Sequence, residues 1–165
     1  MAVHEFLGKR ALAHRIESVI SEQDGFEHYQ SAFSRKEKLP EIRTRWTGKW
    51  MQRLCLAMQD IAALIPPGDA FILVDQGEFG GLVTAGRRII PFIEREGRYW
   101  GPPSSDDETA IREFERFRQT GAAFMVFAWP AFWWLCYYDA LGRHLCSAFR
   151  CILENDRLVV FDLRQ

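Results

Sequence analysis

Apolar residues in the second half of the chain come in short runs that predict β-strands. The runs at 71–75 and 122–129 are apolar almost throughout, which is typical of central strands that are covered on both faces of a sheet. Asn155 and Asp156 tolerate the backbone of a tight turn and join the last two runs into a predicted β-hairpin. The predicted strands are 71–75, 88–92, 122–129, 149–154 and 158–163.

Apolar residues at helical spacing predict a helix before the first strand, over residues 49–64. Pro66-Pro67-Gly68 ends this helix, because proline has no amide hydrogen to continue it. Its predicted apolar face consists of Trp50, Leu54, Ala57, Met58, Ile61 and Ile65. Nearer the N-terminus, a looser apolar stripe between Phe6 and Ile20 predicts a further helix.

Two more helices are predicted between the later strands. Ser105 and Glu108 have the spacing of a capping box, with Asp106 and Asp107 in the first turn, and Gly121 is a natural end for the helix that follows. Pro130 fits the start of the other helix, which should continue to about residue 148.

The order of these elements predicts the fold class and the domain organisation. Strands that alternate with helices indicate an α/β fold with a parallel or mixed sheet. We expect a three-layer, Rossmann-like or flavodoxin-like domain over 66–165. Residues 1–65 are predicted to form a helical N-terminal segment that packs on this domain or mediates assembly, including homo-oligomerisation.

Composition excludes some classes of protein. The net charge of the 165 residues is −1, which argues against a protein built to neutralise nucleic-acid phosphates. The longest apolar run, 121–138, contains Pro130 and is too short for a membrane span, and the N-terminus lacks the apolar core of a signal peptide. We therefore expect a soluble, cytoplasmic protein.

The four cysteines, Cys55, Cys136, Cys146 and Cys151, form no zinc-binding pattern. They are interpreted as buried free thiols of a reducing compartment. A disulfide between Cys146 and Cys151 is the alternative.

The first candidate site is the glycine-rich turn after the first strand. It consists of Asp75, Gln76, Gly77, Glu78, Phe79, Gly80 and Gly81. Open α/β sheets bind ligands at the carboxyl ends of their strands. The turn is loosely similar to the first motif of S-adenosylmethionine-dependent methyltransferases, in which case Glu94 or Glu96 would hold the ribose. The connection to the next strand is short for a crossover helix. Cofactor binding, binding of another small ligand and a purely structural turn all stay open.

Two aromatic groups are further candidates. Tyr99 and Trp100, with Asp106 and Asp107, would suit the lip of a carbohydrate site, although the two acids also suit a helix start. The helix after Pro130 carries two pairs of aromatic residues, each pair sharing one face: Trp133 with Tyr137 and Trp134 with Tyr138. One pair is expected to pack on the sheet and the other to contact the N-terminal helices or a partner protein.

Residues 66–163 also resemble an α/β module found beside or within bacterial glycosyltransferase and surface-polysaccharide biosynthesis proteins. The segments that carry the resemblance are PPGDAFILVDQGEF, GRRIIPF, YWGPPSSDDETAIREFERFRQTGAAFMVFAWPAFWWLCYYDALGRHL and LVVFDL. The module often has Ser-Lys-Gly-Asp after its first strand, where this chain has Asp75-Gln76-Gly77-Glu78. The resemblance implies a pathway and a glycosyltransferase or other pathway protein as partner, but no catalytic residues.

No catalytic set stands out in the sequence, so whether the protein is an enzyme stays open. The leading hypothesis is a non-catalytic binding or scaffolding module in surface-polysaccharide pathways, acting through the Asp75–Gly81 turn and the aromatic helix. The alternative is an enzyme that acts on a sugar or nucleotide-linked substrate, with a methyltransferase-like protein as one form of it.

Overall fold

The structure is a computed structural model that describes residues 48–79, 86–96, 98–103 and 106–164. From Leu56 onward the chain forms one compact unit. The predicted N-terminal helix and most of the predicted segment 1–65 lie outside the described residues, so the domain boundary near residue 65 stays a prediction.

The described residues form four helices and seven strands, of which two strands form a short separate ribbon. The helices are α1 (Gly48–Leu64), α2 (Asp107–Gln119), α3 (Trp133–Tyr137) and α4 (Asp139–Ala148). The strands are β1 (Ala70–Val74), β2 (Arg88–Pro91), β3 (Glu94–Arg95), β4 (Arg98–Tyr99), β5 (Ala122–Ala128), β6 (Arg150–Glu154) and β7 (Leu158–Asp162).

Five of the strands form one mixed sheet in the order β2-β1-β5-β7-β6. β1 pairs in parallel with both β2 and β5, so that Ile72 lies opposite Ile90 on one side and Met125 on the other. β7 runs antiparallel to β5 and to β6, and β6 and β7 form the predicted hairpin. The predicted α/β class is therefore confirmed.

The core lies along the interior strands of this sheet. All five residues of β1 are buried, as are most of β5 and the first four residues of β7. Since neighbouring residues in a strand point to opposite faces, both faces of the sheet are covered. The continuous apolar runs at 71–75 and 122–129 therefore predicted central strands correctly.

Polar contacts connect the C-terminal end of α1 to the sheet. The guanidinium of Arg87, just before β2, donates to the backbone carbonyls of Ile65 and Ala62. The guanidinium of Arg157, in the β6–β7 turn, donates to the carboxylate of Asp60 from Nε at 3.2 Å and from Nη2 at 3.0 Å. The first contact satisfies backbone carbonyls at the end of the helix, and the second pairs the Asp60 carboxylate with a cation.

The start of α2 differs from the predicted capping box. Asp106 is the N-cap, and its Oδ1 accepts a hydrogen bond from the N–H of Thr109 at 2.6 Å. The prediction of Ser105 as the cap was therefore wrong by one residue, because an aspartate carboxylate caps as well as a serine hydroxyl and is also favoured by the helix dipole. Ser105 itself lies outside the described residues.

The predicted helix from Pro130 to residue 148 is interrupted. A 3-10 turn at Trp129–Ala131 leads into α3, and Tyr138 then leaves the helical conformation with φ −98° and ψ 67°. The Oδ1 atom of Asp107 accepts from the N–H groups of Ala140 (3.1 Å) and Leu141 (3.4 Å), so a residue of α2 caps α4. The uninterrupted helix was a wrong prediction, because this cap comes from a residue distant in sequence.

A short antiparallel ribbon, β3–β4, was not predicted. Glu94 lies opposite Tyr99 and Arg95 opposite Arg98, in a segment for which no strand was predicted. The N–H of Trp100 donates to the carbonyl of Ile93 at 2.9 Å. This ribbon matters because it carries Tyr99 and Trp100.

All four cysteines are free thiols, so the alternative of a Cys146–Cys151 disulfide is not found. The prediction that they are buried was wrong: Cys55, Cys136 and Cys151 are exposed and Cys146 is half-buried. Cys55 lies beside the buried stripe of α1, and Cys151 lies on the edge strand β6. Within the described ranges, no helix is long and apolar enough to cross a membrane.

Candidate ligand site at the carboxyl edge of the sheet

The turn after β1 is held together by the side chain of Asp75. Its Oδ1 accepts from the N–H of Gly77 and its Oδ2 accepts from the N–H of Phe79, both at 2.9 Å. The backbone carbonyl of Asp75 accepts from the N–H of Glu78 at 3.2 Å. Each carboxylate oxygen therefore satisfies a backbone donor, which is the usual way in which aspartate forms a turn.

Asp75 is nevertheless an unusual carboxylate, because only 4% of its surface is exposed. Removal from water raises the pKa of Asp75 above its ordinary value, and the hydrogen bonds from Gly77 and Phe79 oppose this shift. A buried carboxyl group with a raised pKa at the end of a central strand is a feature of many functional sites, although structural turns also contain such groups.

Gln76 and Gly77 both have a left-handed backbone, with φ of 59° and 76°. Glycine is favoured at residue 77 by its positive φ and by a second feature: a Cβ atom there would lie 3.3 Å from Cδ1 of Tyr99, which is closer than most Cβ contacts. The ring of Tyr99 thus packs directly on the backbone of the turn. This contact brings together two parts of the site that the sequence predicted separately, the Asp75 turn and the aromatic residues of the ribbon.

The hydroxyl of Tyr99 lies in a buried, electronegative environment. Burial is the main cause that raises the pKa of Tyr99, and electrostatic interactions with Asp75 and with an ionised Tyr138 would raise it further. The Tyr138 hydroxyl donates to the carbonyl of Pro103 at 2.9 Å. Burial, with Tyr137, Asp107 and Asp106 nearby, raises the pKa of Tyr138 to about 12. Both phenols therefore stay protonated at physiological pH.

Three buried polar atoms at this edge have no hydrogen-bond partner among the described residues. They are Oε1 of Gln76, the hydroxyl of Tyr99 and Nε1 of Trp134. The ring of Trp134 is 5.3 Å from that of Tyr138 and 5.7 Å from that of Phe92, which follows β2. Native proteins leave few buried polar groups unpaired, and a group of them marks a place where a ligand or an ordered water belongs.

Several candidates from the sequence take structural roles. Asp106 and Asp107 cap α2 and α4, so their carboxylates already have partners. Trp100 is 68% exposed, and the guanidinium of Arg95 lies 5.2 Å from the centre of its ring. Of the predicted carbohydrate lip, Tyr99 faces the turn whereas Trp100 faces solvent.

The aromatic helix separates into an inner and an outer pair, as its spacing predicted. Trp134 and Tyr138 are buried, Trp133 is half-buried and Tyr137 is 55% exposed. Only Trp133 and Tyr137 therefore remain at the surface for the predicted contact with a partner. Trp134, which was predicted as a partner contact, is buried and so cannot lie on a partner surface. Because its Nε1 has no hydrogen-bond partner within the described ranges, we assign it to the candidate ligand site instead.

The features expected of a methyltransferase are not brought together. β2 ends at Pro91, which is followed by Phe92, so a carboxylate does not end this strand. Glu94 pairs with Tyr99 across the ribbon, and Glu96 is exposed in the ribbon turn. Gly80 and Gly81, the last residues of the motif, lie outside the described residues.

Sequence reasoning missed the role of Trp134 and the contact between Phe79 and Trp129, whose rings are 5.2 Å apart. Trp129 and Trp134 follow β5 and Phe79 follows β1, so their position at the carboxyl ends of these strands was the available signal. Among the residues that the structure describes, no group of three or more His, Cys, Asp or Glu side chains is placed to hold a metal ion.

Comparison with family models, with curated proteins and with solved structures finds no match to this chain.

Proposed function

We propose that this protein is a non-catalytic module that binds a small polar ligand at the carboxyl edge of its sheet. The site consists of the Asp75 turn, the ribbon residue Tyr99 and the buried face of the aromatic helix. We define these residues, Asp75, Gln76, Gly77, Tyr99 and Trp134, as the edge site.

The observation that carries the proposal is the group of three unpartnered atoms: Oε1 of Gln76, the Tyr99 hydroxyl and Nε1 of Trp134. Leaving a buried polar group unpaired costs about 1–3 kcal/mol per group. A ligand that supplies the missing partners would recover that free energy on binding. These atoms are covered by other side chains, so we expect association to be slower than diffusion allows.

The topology supports this position for a ligand. β2, β1 and β5 are parallel neighbours, and Asp75 follows the middle strand of the three. In Rossmann-like and flavodoxin-like sheets, ligands bind beyond the carboxyl ends of such strands. The three-layer form of either fold is part of the proposal.

The proposed biological context is a bacterial surface-polysaccharide pathway, with a glycosyltransferase or another pathway protein as partner. It rests on the resemblance of residues 66–163. Trp133 and Tyr137, which remain at the surface of α3, are the residues that we expect to contact such a partner.

An enzyme acting on a sugar or nucleotide-linked substrate is the second candidate, and the raised pKa of Asp75 favours it. Both carboxylate oxygens of Asp75 already accept backbone hydrogen bonds, however. A general acid or base must reach the substrate, so Asp75 would have to release the turn before it could act. This arrangement favours binding over catalysis.

A thermal-shift screen of the purified full chain tests the proposal. The ligands are S-adenosylmethionine, nucleotides, nucleotide sugars and free sugars, each with a long incubation. A ligand at 100 times its dissociation constant adds about 2.7 kcal/mol of stability, which is several degrees for a protein of this size. We expect a shift that is reduced by Tyr99→Phe. A flat screen would contradict the proposal.

The screen also separates binding from catalysis. Each ligand that gives a shift is incubated with the protein and the products are analysed by mass spectrometry. Turnover that is lost in Tyr99→Phe would replace the binding module by the enzyme. Asp75→Ala is a poor variant for this purpose, because it removes the acceptor for two backbone donors and disrupts the turn itself.

A further inference from the structure

We propose that the ligand of the edge site is an uncharged molecule with several hydroxyl groups, such as a sugar, recognised by Gln76, Tyr99 and Trp134. This inference rests on the proposed function and adds the chemical class of the ligand.

The hydrogen-bonding properties of the three atoms support a hydroxylated ligand. Nε1 of Trp134 can only donate, Oε1 of Gln76 accepts, and the Tyr99 hydroxyl does both. A ligand must therefore offer acceptors as well as donors. A hydroxyl group is both at once, whereas an ammonium group only donates and a phosphate mainly accepts.

The charges around the edge site disfavour an anion. The charged or ionisable groups that act on the Tyr99 hydroxyl are Asp75 and Tyr138, and those that act on Tyr138 are Tyr137, Asp107 and Asp106. None of these groups is a cation. A phosphate placed beside Tyr99 would meet the buried carboxylate of Asp75 in a medium that screens charge weakly. Nucleotides and nucleotide sugars are therefore poor ligands for this site.

Aromatic rings complete the surroundings expected for a sugar. The ring of Trp134 lies within 6 Å of the rings of Phe92 and Tyr138, and Tyr99 packs on the backbone of Gly77. Small-ligand sites combine apolar and aromatic walls with a few precisely placed polar groups. The apolar C–H faces of a sugar ring suit the walls, and its hydroxyl groups suit the three unpartnered atoms.

Isothermal titration calorimetry on the full chain tests the inference with three classes of probe. The neutral probes are glucose, galactose, N-acetylglucosamine and maltose. The charged probes are uridine diphosphate glucose and S-adenosylmethionine, and choline is the cation. We expect at least one neutral probe to bind. Its affinity should fall roughly fivefold to tenfold in Tyr99→Phe and in Gln76→Met, as for the loss of one ligand hydrogen bond.

Gln119→Met is the matched control, because Gln119 is an exposed glutamine at the end of α2. Its affinity for the neutral probe should equal that of the unaltered protein.

The outcomes distinguish this inference from the proposed function. Binding of a charged probe alone, reduced by Tyr99→Phe, would overturn the uncharged ligand and leave a small-ligand site. Binding of choline alone would do the same. A neutral probe that binds equally well to Tyr99→Phe and Gln76→Met would overturn both, since the ligand would then lie elsewhere. If no probe binds, the unpartnered atoms hold only ordered water and both proposals fail.

Discussion

Three tyrosines at and near the edge site place the same hydroxyl group in three environments. The hydroxyl of Tyr99 is buried without a partner among the described residues. That of Tyr138 is buried and donates to the carbonyl of Pro103 at 2.9 Å. Tyr137 is 55% exposed. Substitution of each by phenylalanine removes one oxygen atom and leaves the ring, so the three variants measure the environment of the hydroxyl.

The expected effects differ in sign. Tyr99→Phe removes a polar group whose burial without a partner costs about 1–3 kcal/mol, so we expect the free energy of unfolding to rise by about 1 kcal/mol. Tyr138→Phe leaves the carbonyl of the buried Pro103 unpaired, so we expect it to fall by about 1–3 kcal/mol. Tyr137→Phe should change it by less than about 0.5 kcal/mol.

Urea denaturation followed by tryptophan fluorescence measures these differences. The comparison requires the same m-value in all variants, since the midpoint then reports stability alone. The gap between Tyr99→Phe and Tyr138→Phe should be at least about 2 kcal/mol, which is well above the error of the method.

A fall in stability for Tyr99→Phe comparable to that for Tyr138→Phe would refute the reasoning. It would show that the Tyr99 hydroxyl has a strong partner in the ligand-free protein, such as an ordered water. The group of unpartnered atoms would then carry no argument for a ligand.

Three other predictions test the Asp75 turn and the edge strand β6. Gly77→Ala should lower the free energy of unfolding by about 1–2 kcal/mol because an alanine is strained at a positive φ, and by a further amount because its Cβ would crowd Tyr99. Gly68→Ala should show only the cost of the positive φ, because a Cβ at residue 68 would meet nothing within 4 Å in the described part of the chain. Because the pKa of Asp75 is raised on folding, the contribution of Asp75 to stability is greatest below the unfolded value of 3.8 and is lost as pH rises through the folded pKa. Urea titrations from below pH 3.8 to neutral pH should therefore show that the stability of the unaltered protein relative to Asp75→Asn falls with rising pH. A difference in stability that does not change with pH would contradict the raised pKa. Although Cys151 is exposed as a residue, partial removal of its thiol from water and the nearby Glu154 raise the pKa of the thiol from 9.0 to about 11. Alkylation by iodoacetamide at pH 8, followed by mass spectrometry, should therefore be roughly 100-fold slower than for a thiol at the ordinary value, and equal rates would show that the pKa is not raised.

Periodicity and punctuation were sufficient to predict the α/β class and the five strands of the main sheet, but not the order of those strands. The continuous apolar runs of β1 and β5 are typical of central strands, and Pro66-Pro67-Gly68 ended α1 where expected. The ribbon β3–β4 was missed because two-residue strands show no alternation. The break at Tyr138 was missed for another reason: the carboxylate that caps α4 comes from Asp107, on a different helix.

The candidate site was predictable in its parts but not in its assembly. The position of Asp75 after a buried strand identified the turn, and helical spacing separated Trp134 and Tyr138 from Trp133 and Tyr137. Spacing could not decide which pair faces inward, since both pairs are aromatic. Nor could it place Tyr99 on Gly77, because that contact depends on how the ribbon folds over the strand ends.

The structural and the ligand-binding interpretations of the Asp75 turn are compatible. By accepting from Gly77 and Phe79, the carboxylate of Asp75 fixes the turn in which Gln76 and Gly77 take the left-handed conformation. That conformation favours glycine at residue 77, and the missing Cβ lets the ring of Tyr99 approach. The turn therefore contains one of the three unpartnered polar atoms, Oε1 of Gln76, and packs against the ring of Tyr99, which carries another. A turn with only a structural role would not need polar atoms buried beside it without hydrogen-bond partners. These unpartnered polar atoms are therefore the feature that points to a ligand.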